Sequence, residues 1–313
     1  MKLTAGLGRL QDYPALVQAG ADEVYCGCVP YDWLRRYGSF FALNRREVLY
    51  YSVQLGSMEE MRILAHMQAE LGVPVAITFN SLYYLPDQYP AVLELMHELI
   101  ELGFSRFIVA DPALILHIRQ VGLHCQLHLS GEMGEVNTPA LRFFRQWDIS
   151  RVILHRKVSL PEIKSLIQSF PDCEYEAFLL NERCHYTGAY CNSLHCDELP
   201  HLCRLSYRLL PRKSASPFGL PKSVESTPCY EGLGESGCGL CAIKALHDAG
   251  VSCLKIVGRG NHLDCTVRDI RAVKKALLLA EQSEDQATYR LTMKKALFPE
   301  GCSGECYYGI ENT

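Results

Sequence analysis

Residues 74–80 read PVAITFN, a short run of apolar and β-branched residues that ends in a polar asparagine. Such a run is typical of a strand that is buried on both faces of a parallel sheet. Residues 89–103, YPAVLELMHELIELG, place apolar residues about 3.6 positions apart and close on a glycine, which predicts an amphipathic helix. Together the two segments predict one strand–helix unit.

The same alternation occurs eight times along the chain, with further strands predicted at 2–7, 23–27, 106–111, 123–130, 151–156, 173–181 and 251–259. Because right-handed crossovers repeated in this way close a parallel sheet on itself, we predict an α/β fold, a (β/α)8 TIM-like barrel over residues 1–282. An open doubly wound sheet is the alternative, although it usually has fewer units. Residues 283–313 are predicted to form a C-terminal extension.

Two stretches interrupt the strand–helix alternation. Residues 28–57 follow the second predicted strand, and residues 181–241 form a long cysteine-rich insertion after the seventh. Both follow a strand, so both are expected at the carboxyl-terminal rim, where the active sites of such barrels lie. Because a loop of this length in a compact domain usually serves function, we expect the insertion to contribute to the site.

Charge and composition narrow the classes of partner. The formal net charge is −4, so no global field attracts nucleic acid, which is not an expected partner. No run approaches the ~20 apolar residues of a membrane span. The first segment carries Asp12 and has no long apolar stretch, so no export signal is expected. We therefore predict a cytoplasmic protein.

The chain holds 15 cysteines, seven of which lie within residues 184–241, beginning with CHYTGAYC at 184–191. In a reducing compartment, clustered cysteines favour metal binding or redox chemistry over disulfides. An iron–sulfur cluster takes its thiolates from separate points of the chain. The histidines of the same stretch keep zinc as an alternative; they are His185, His195 and His201. No role is assigned to four further cysteines, Cys26, Cys28, Cys302 and Cys306.

Polar side chains at predicted strand ends form a candidate pocket. His128 and His155 are candidate proton carriers, because imidazole titrates near neutral pH. Arg156 and Arg259 are candidates for holding a carboxylate or phosphate in bidentate contact. For each residue alone, a structural hydrogen bond is the competing interpretation. Other strand ends add the catalytic candidate Glu176, the substrate-binding candidate Asn80, and Asp111 and Ser130.

Motifs of common hydrolases are absent from the sequence. MHELIE at 96–101 has a His-Glu pair without the second histidine that a zinc protease needs. No GxSxG nucleophile motif and no phosphate-binding P-loop occurs. GLGESG at 232–237 fits GxGxxG, but it follows no predicted strand and is interpreted as loop glycine.

Several segments together resemble the peptidase U32 family. They are QAGADEVYCG (18–27), LGSMEEMRILAHMQAELGVPVAITFNSL (55–82), LHLSGEMGEVNTPALRFFRQWDISRVILHRKVSLPEI (127–163), EAFLLNERCHYTGAYC (176–191) and LCAIKALHDAGVSCLKIVGR (240–259). The last two are the most specific, because spacing and residue types agree together. In Glu176, Phe178 and Arg156 the chain matches an acidic, an aromatic and a basic position of the family pattern.

The resemblance implies a barrel with an oxygen-sensitive [4Fe-4S] cluster held by four cysteines. Carried over residue by residue, the implied ligands are Cys184, Cys191, Cys203 and Cys241, with Cys196 and Cys238 as alternatives. Members of the family assist oxygen-independent hydroxylation of tRNA, rRNA or ubiquinone precursors, and others have been described as collagenases. Prephenate is implicated as the oxygen donor for some of them. A homologous U32 chain is a further possible partner.

The chain departs from the family pattern at three points. Leu180-Asn181 stands in place of His-Gly, and Lys157 and Val257 each stand in place of a glutamate. If these residues shape the pocket, the substrate differs from those of the relatives. The chain ends soon after the barrel, which favours a small organic substrate over RNA. We predict an oxygen-independent, [4Fe-4S]-dependent hydroxylase, or a subunit of one, from an oxygen-limited setting. A U32-type peptidase and a non-catalytic iron–sulfur partner subunit are the alternatives.

Overall fold

Eight parallel strands form a closed barrel in a computed structural model of the chain, which describes residues 1–38, 42–45, 53–134, 136–184, 188–191 and 232–309. Strand order follows chain order, and β8 pairs with β1. The strands are β1 (Lys2–Gly6), β2 (Glu23–Gly27), β3 (Val75–Phe79), β4 (Arg106–Val109), β5 (Gln126–Leu129), β6 (Ile149–Ile153), β7 (Glu174–Leu180) and β8 (Cys253–Ile256). The predicted (β/α)8 barrel is confirmed.

Helices surround the barrel and connect successive strands. They are α1 (Tyr13–Ala19), α2 (Tyr31–Tyr37), α3 (Met58–Leu71), α4 (Tyr89–Glu101), α5 (Pro112–Gln120), α6 (Thr138–Arg145), α7 (Leu160–Ser169), α8 (Ile243–Ala249), α9 (Leu263–Gln282) and α10 (Gln286–Leu297). Each strand is followed by a helix of the outer layer, as the alternation predicts. Two helices lie outside the predicted alternation: α2, inside the first interruption, and α10, beyond the last unit.

Local sequence signals explain the strands and the helix ends. Every residue of β2 and β3 is buried, which accounts for their continuous apolar runs. Ser159 and Glu162 form a capping box at the start of α7, so two backbone N–H groups of its first turn have side-chain acceptors. Gly250 ends α8 in the left-handed conformation with a φ of 97°, which a side chain would disfavour.

The C-terminal residues pack against the end of β7 rather than extending away from the barrel. Tyr289 of α10 donates a hydrogen bond to the carbonyl of Leu240 at 2.6 Å. Tyr308 is buried and donates to the carbonyl of Phe178 at 2.8 Å, and Tyr307 donates to the carbonyl of Asn181. The segment after α10 therefore forms part of the carboxyl-terminal rim.

Among the helices that the structure describes, none combines the length and the apolar composition required to cross a membrane.

Candidate active site at the carboxyl ends of the strands

A small cavity of about 50 Å³ lies at the carboxyl ends of the strands, with room for a few water molecules or one small polar group. Apolar side chains of Ile108, Ile153 and Phe178 form part of its wall. Its polar lining combines one carboxylate with three cations and neutral donors; these residues are Asn80, Ser130, Glu132, Arg156, Lys255 and Arg259. Three cations against one carboxylate make the cavity suited to an anionic group.

Arg259 follows β8 and is held in place by neutral partners. It is 6% exposed, and its Nη1 donates to Thr78 Oγ1 at 3.2 Å and to Gln54 Oε1 at 3.5 Å. Gly27 at the end of β2 leaves the space that the guanidinium occupies, because a Cβ there would lie 2.6 Å from Arg259 Nη1.

Arg156 follows β6 and also lines the cavity. Its Nη1 donates to Glu132 Oε1 at 2.8 Å, and its guanidinium lies 4.0 Å from the ring centre of Phe178. The side chain is 9% exposed, yet its Nε has no hydrogen-bond partner among the described residues. A buried guanidinium N–H without an acceptor costs free energy, so this position favours binding of an acceptor group.

Arg45 connects the two stretches that interrupt the barrel alternation. Its Nη2 donates to the carbonyl of Cys191 at 3.0 Å, and its Nε lies 3.6 Å from Glu132 Oε2. Its backbone N–H donates to Asn80 Oδ1 at 3.3 Å, next to the cavity. The first interruption and the insertion after β7 therefore meet at the cavity, as their positions after strands predicted.

Two of the expected cluster ligands lie at this rim. Cys191 is buried at the end of a short 3₁₀ turn, Gly188–Tyr190, and its carbonyl is fixed by Arg45. Cys184 is near enough to Arg156 to raise the pKa of that guanidinium, after the larger effects of burial and Glu132. A neighbouring cation stabilises a thiolate, so Cys184 and Cys191 fit the donor chemistry of an iron–sulfur cluster.

The other expected ligands are distributed differently. Cys203 and Cys196 lie outside the described residues. Cys241 lies in a 3₁₀ turn, Leu240–Ala242, before α8, and Cys238 precedes it. Their described cysteine neighbours are Cys302 and Cys306 of the C-terminal segment.

The structure brings four residues of the predicted pocket to one cavity: Asn80, Ser130, Arg156 and Arg259. Glu176 contacts it indirectly, because its Oε1 accepts a 2.7 Å bond from the cavity residue Lys255. His155 is half-buried, does not line the cavity, and accepts a bond from the backbone of Lys157 at its Nδ1.

His128 lies in the barrel interior and is 2% exposed. Burial lowers its pKa to about 3, and the nearby Arg151 adds to that effect. The imidazole is therefore neutral near pH 7, and its Nδ1 has no partner among the described residues. Glu176, in contrast, is ionised near pH 7. Burial would raise its pKa, but Lys255 and Arg151 lower the pKa to about 2.

Sequence reasoning missed Lys255, Glu132 and Arg45. Lys255 had a signal, since a single lysine inside the apolar strand β8 requires a buried partner, here Glu176. The amine also lies 3.8 Å from the centre of the Tyr25 ring. Glu132 and Arg45 lie in irregular segments, where no periodic pattern indicates which side chains turn inward.

The positions that depart from the family pattern differ in whether they line the cavity. Asn181 has a φ of 68°, which asparagine tolerates as glycine does, and its Nδ2 donates to Asp269 Oδ2 at 2.8 Å. Lys157 is exposed, whereas Val257 lines the cavity. Only Val257, of the departures at 157, 181 and 257, is therefore placed to alter what the cavity accepts.

The fold and the site define a (β/α)8-barrel protein with a basic cavity and cysteines at its carboxyl-terminal rim. Residues 8–308 match the model of peptidase family U32, and the chain belongs to this family.

Curated relatives carry two kinds of description. The chain is 28% identical over 188 residues to tRNA hydroxylation protein P of Escherichia coli, covering 60% of this chain and 38% of the relative. It is 25% identical over 195 residues to tRNA hydroxylation protein P1 of Bacillus subtilis, covering 62% and 42%. A collagenase of Porphyromonas gingivalis is 22% identical over 299 residues, covering 88% and 65%. The chain thus spans about two fifths of the hydroxylation relatives' length.

Solved structures agree on the fold. A structure of CdNal from Clostridium difficile in complex with mannosamine superposes with a TM-score of 0.50 at 10% identity, covering 94% of this chain and 79% of that chain. A solved U32 peptidase gives a TM-score of 0.43 at 12% identity, covering 57% and 68%. At 10% identity the likeness to CdNal concerns the barrel alone.

Proposed function

We propose that the chain is a [4Fe-4S]-dependent, oxygen-independent hydroxylase, or a subunit of one, that acts on a small organic substrate in the cytoplasm. Family membership and the relatives described as tRNA hydroxylation proteins support this class of reaction. The observation that carries the proposal is the ion chain Arg45–Glu132–Arg156, which connects the cavity to Cys184 and Cys191.

The cavity supplies anion binding in this proposal. Arg156 Nε is a buried donor without a described acceptor, and Arg259 approaches the same space. A carboxylate of the substrate, or of the compound that donates the oxygen, would take up these donors. The small volume admits only such a group, so the rest of the molecule would lie towards the rim where the two cysteines lie.

Cys184 and Cys191 would hold the cluster together with further cysteines of the insertion or its far edge, where Cys203 and Cys241 are the ligands that the family resemblance implies. When bound, the cluster supplies one-electron transfer without molecular oxygen. The Arg156 guanidinium would have two roles, because it would both stabilise the thiolate of Cys184 and orient the bound anion. Lys255, held by Glu176 at 2.7 Å, would provide a second fixed cation at the cavity.

Proton movement in the proposal falls to Lys255 rather than to the predicted histidines. Neutral His128 lies in the barrel interior and His155 does not line the cavity. Glu176 stays ionised between Arg151 and Lys255, so its proposed role is to position the amine. An amine beside a bound anion donates a hydrogen bond to it and can release a proton there.

Iron and sulfide analysis after anaerobic purification tests the proposal first. We expect the cluster of Cys184 and Cys191 to be lost in the Cys184→Ser/Cys191→Ser variant and retained in the control Cys125→Ser/Cys173→Ser. Cys125 and Cys173 lie at the amino-terminal ends of β5 and β7, away from the rim. A metal-free protein that still forms product would refute the proposal.

Mass spectrometry of cells grown without oxygen identifies the substrate. Extracts of cells with the wild-type chain are compared with those of the cysteine variant, for small molecules that gain one oxygen atom and for tRNA nucleosides. We expect the difference among small molecules. A difference confined to tRNA nucleosides would replace the small substrate by tRNA, and no difference in either would favour the non-catalytic partner subunit.

The peptidase alternative has less support from the site. Ser130 lines the cavity, but the described lining residues include no histidine to act as its base. Its Oγ instead accepts a bond from the backbone N–H of Glu132 at 3.2 Å. Cleavage of a collagen peptide that is lost on Ser130→Ala would support the peptidase.

A further inference from the structure

Four cysteines meet where the C-terminal segment reaches the far edge of the β7 insertion. The backbone of Cys238 forms two isolated β-bridges, an antiparallel one with Leu180 and a parallel one with Cys306. The backbone N–H of Cys238 donates to the carbonyl of Glu305 at 2.8 Å, and that of Tyr307 donates to the carbonyl of Cys238 at 2.9 Å. Cys238 and Cys306 are therefore held side by side by backbone hydrogen bonds.

Each of these cysteines has a partner a few residues away in the chain. Cys238 and Cys241 form a CxxC pair that spans a 3₁₀ turn, and Cys302 and Cys306 form a CxxxC pair. The carbonyl of Cys241 is fixed by Gln286 Nε2 at 2.6 Å. Two short-spaced cysteine pairs on neighbouring segments are the usual arrangement of a tetrathiolate metal site.

The surroundings fit bound thiolates. The thiols of Cys241, Cys306 and Cys302 all lie close enough to Cys238 to interact with it electrostatically. None of the four cysteines forms a disulfide. Lys294 and Arg290 of α10 lie close to Cys241. A bound metal centre would displace the thiol protons, and these cations would offset the negative charge that results.

The sulfur spacing distinguishes two kinds of centre. A single tetrahedral zinc ion requires its four sulfurs at roughly 3.8 Å from one another, given Zn–S bonds of about 2.3 Å. No three of these sulfurs lie within 4.8 Å of one another, since the one such group among the described residues is Glu23, Glu176 and Cys253. A cluster that binds one thiolate per iron does not require three sulfurs so close together.

We propose that Cys238, Cys241, Cys302 and Cys306 hold an iron–sulfur cluster of their own, which fastens the C-terminal segment to the barrel. This assignment moves Cys241 away from the ligand set that the family resemblance implies, so the cluster of Cys184 and Cys191 would take its remaining ligands from the other cysteines of the insertion. The centre would be separate from the cavity and does not depend on the reaction proposed above.

The test measures iron, sulfide and zinc per chain after anaerobic reconstitution of the full chain. We expect about eight iron and eight sulfide in the wild type, and about half of each in Cys302→Ser/Cys306→Ser. Cys302 is exposed, so Cys302→Ser alone serves as a variant with little risk to folding. The Cys184→Ser/Cys191→Ser variant should lose the complementary half, with a different EPR spectrum of the remaining reduced cluster.

Each result has a defined reading. Unchanged iron and sulfide in both C-terminal variants would overturn the second cluster. Loss of zinc from these variants without loss of iron would also overturn it. A Cys238–Cys306 disulfide in the anaerobic protein would do the same. If the Cys184→Ser/Cys191→Ser variant keeps all its iron while the C-terminal variants lose theirs, this inference stands and the cluster of the proposed function fails. If only the Cys184→Ser/Cys191→Ser variant loses iron, the cluster of the proposed function stands and this inference fails. The Cys125→Ser/Cys173→Ser variant controls for the loss of thiols as such.

Discussion

Arg151 and Arg156 belong to the same part of the chain but to different environments. Arg151 lies within β6 in the barrel interior, and all three of its nitrogens donate to carboxylates at 2.6 to 3.0 Å. The carboxylates are those of Glu23, Glu174 and Glu176. Arg156 follows the carboxyl end of β6, donates to Glu132 and leaves its buried Nε without a described acceptor.

The difference separates a structural cation from one available to a ligand. Every N–H group of the Arg151 guanidinium donates to a carboxylate, so none remains to bind a substrate. Glu23, Glu176 and Cys253 place three ligand atoms within 4.8 Å, as a metal site would, yet the Arg151 guanidinium and the Lys255 amine already neutralise the two carboxylates. Arg156 has a donor at the cavity that meets no acceptor in the described parts of the chain, which is what binding requires.

Removing the Arg151 guanidinium should have the largest effect. In Arg151→Ala, the buried carboxylates of Glu23 and Glu176 each lose an ion pair, and Glu176 is left with Lys255, so we expect a loss of about 3–5 kcal/mol in the free energy of unfolding. Urea unfolding followed by circular dichroism measures it. The control is Arg145→Ala, whose ion pair with Asp172 is solvent-exposed and should contribute less than about 1 kcal/mol. Equal midpoints for the two variants would show that the interior network is not structural.

The neutral His128 should make the interior network sensitive to acid. The unfolded imidazole binds a proton below its ordinary pKa of 6.5, whereas the folded one stays neutral down to a pKa of about 3. Stability is therefore lost as the pH falls from 6.5 towards 3, by about 1.4 kcal/mol between pH 7.5 and 5.5. We expect His128→Gln to abolish this part of the loss in urea unfolding, and His97→Gln, on the exposed face of α4, to retain it. A wild-type pH profile in His128→Gln would contradict the buried neutral state.

The comparison also shows what sequence could predict. The barrel followed from alternation, because strands buried on both faces are apolar throughout and helices carry a 3.6-residue period. Asn80, Arg156 and Arg259 were predicted to converge because parallel strands end at one rim. The pairing of Lys255 with Glu176 depends on which residues face inward across the barrel, and the approach of Cys306 to Cys238 is a long-range contact between irregular segments. Neither leaves a periodic signal.

Arg156→Lys should weaken anion binding at the cavity with little change in stability. Lysine keeps a positive charge for Glu132 but lacks the donor at Nε, so affinity for a carboxylate or phosphate should fall about fivefold. Calorimetric titration with benzoate and with inorganic phosphate measures the change. Arg62→Lys, in an exposed pair with Glu59 on α3, is the matched control and should bind as the wild type does. Unchanged affinity in Arg156→Lys would exclude its Nε from the binding site.

Gly27→Ala should have the smallest effect, and it tests Arg259 without removing it. The added Cβ would lie 1.9 Å from Gln54 Oε1 and 2.6 Å from Arg259 Nη1, both at the ends of flexible side chains. These side chains can move at low cost, so stability should change little while the guanidinium is displaced from Thr78. We expect a two- to threefold loss of benzoate affinity, equal to about 0.5 kcal/mol. At Gly309 an added methyl group meets no atom within 4 Å, so Gly309→Ala is the matched control. Wild-type affinity in Gly27→Ala would mean that Arg259, like Arg151, is a structural cation, and that Arg156 binds the anion without it.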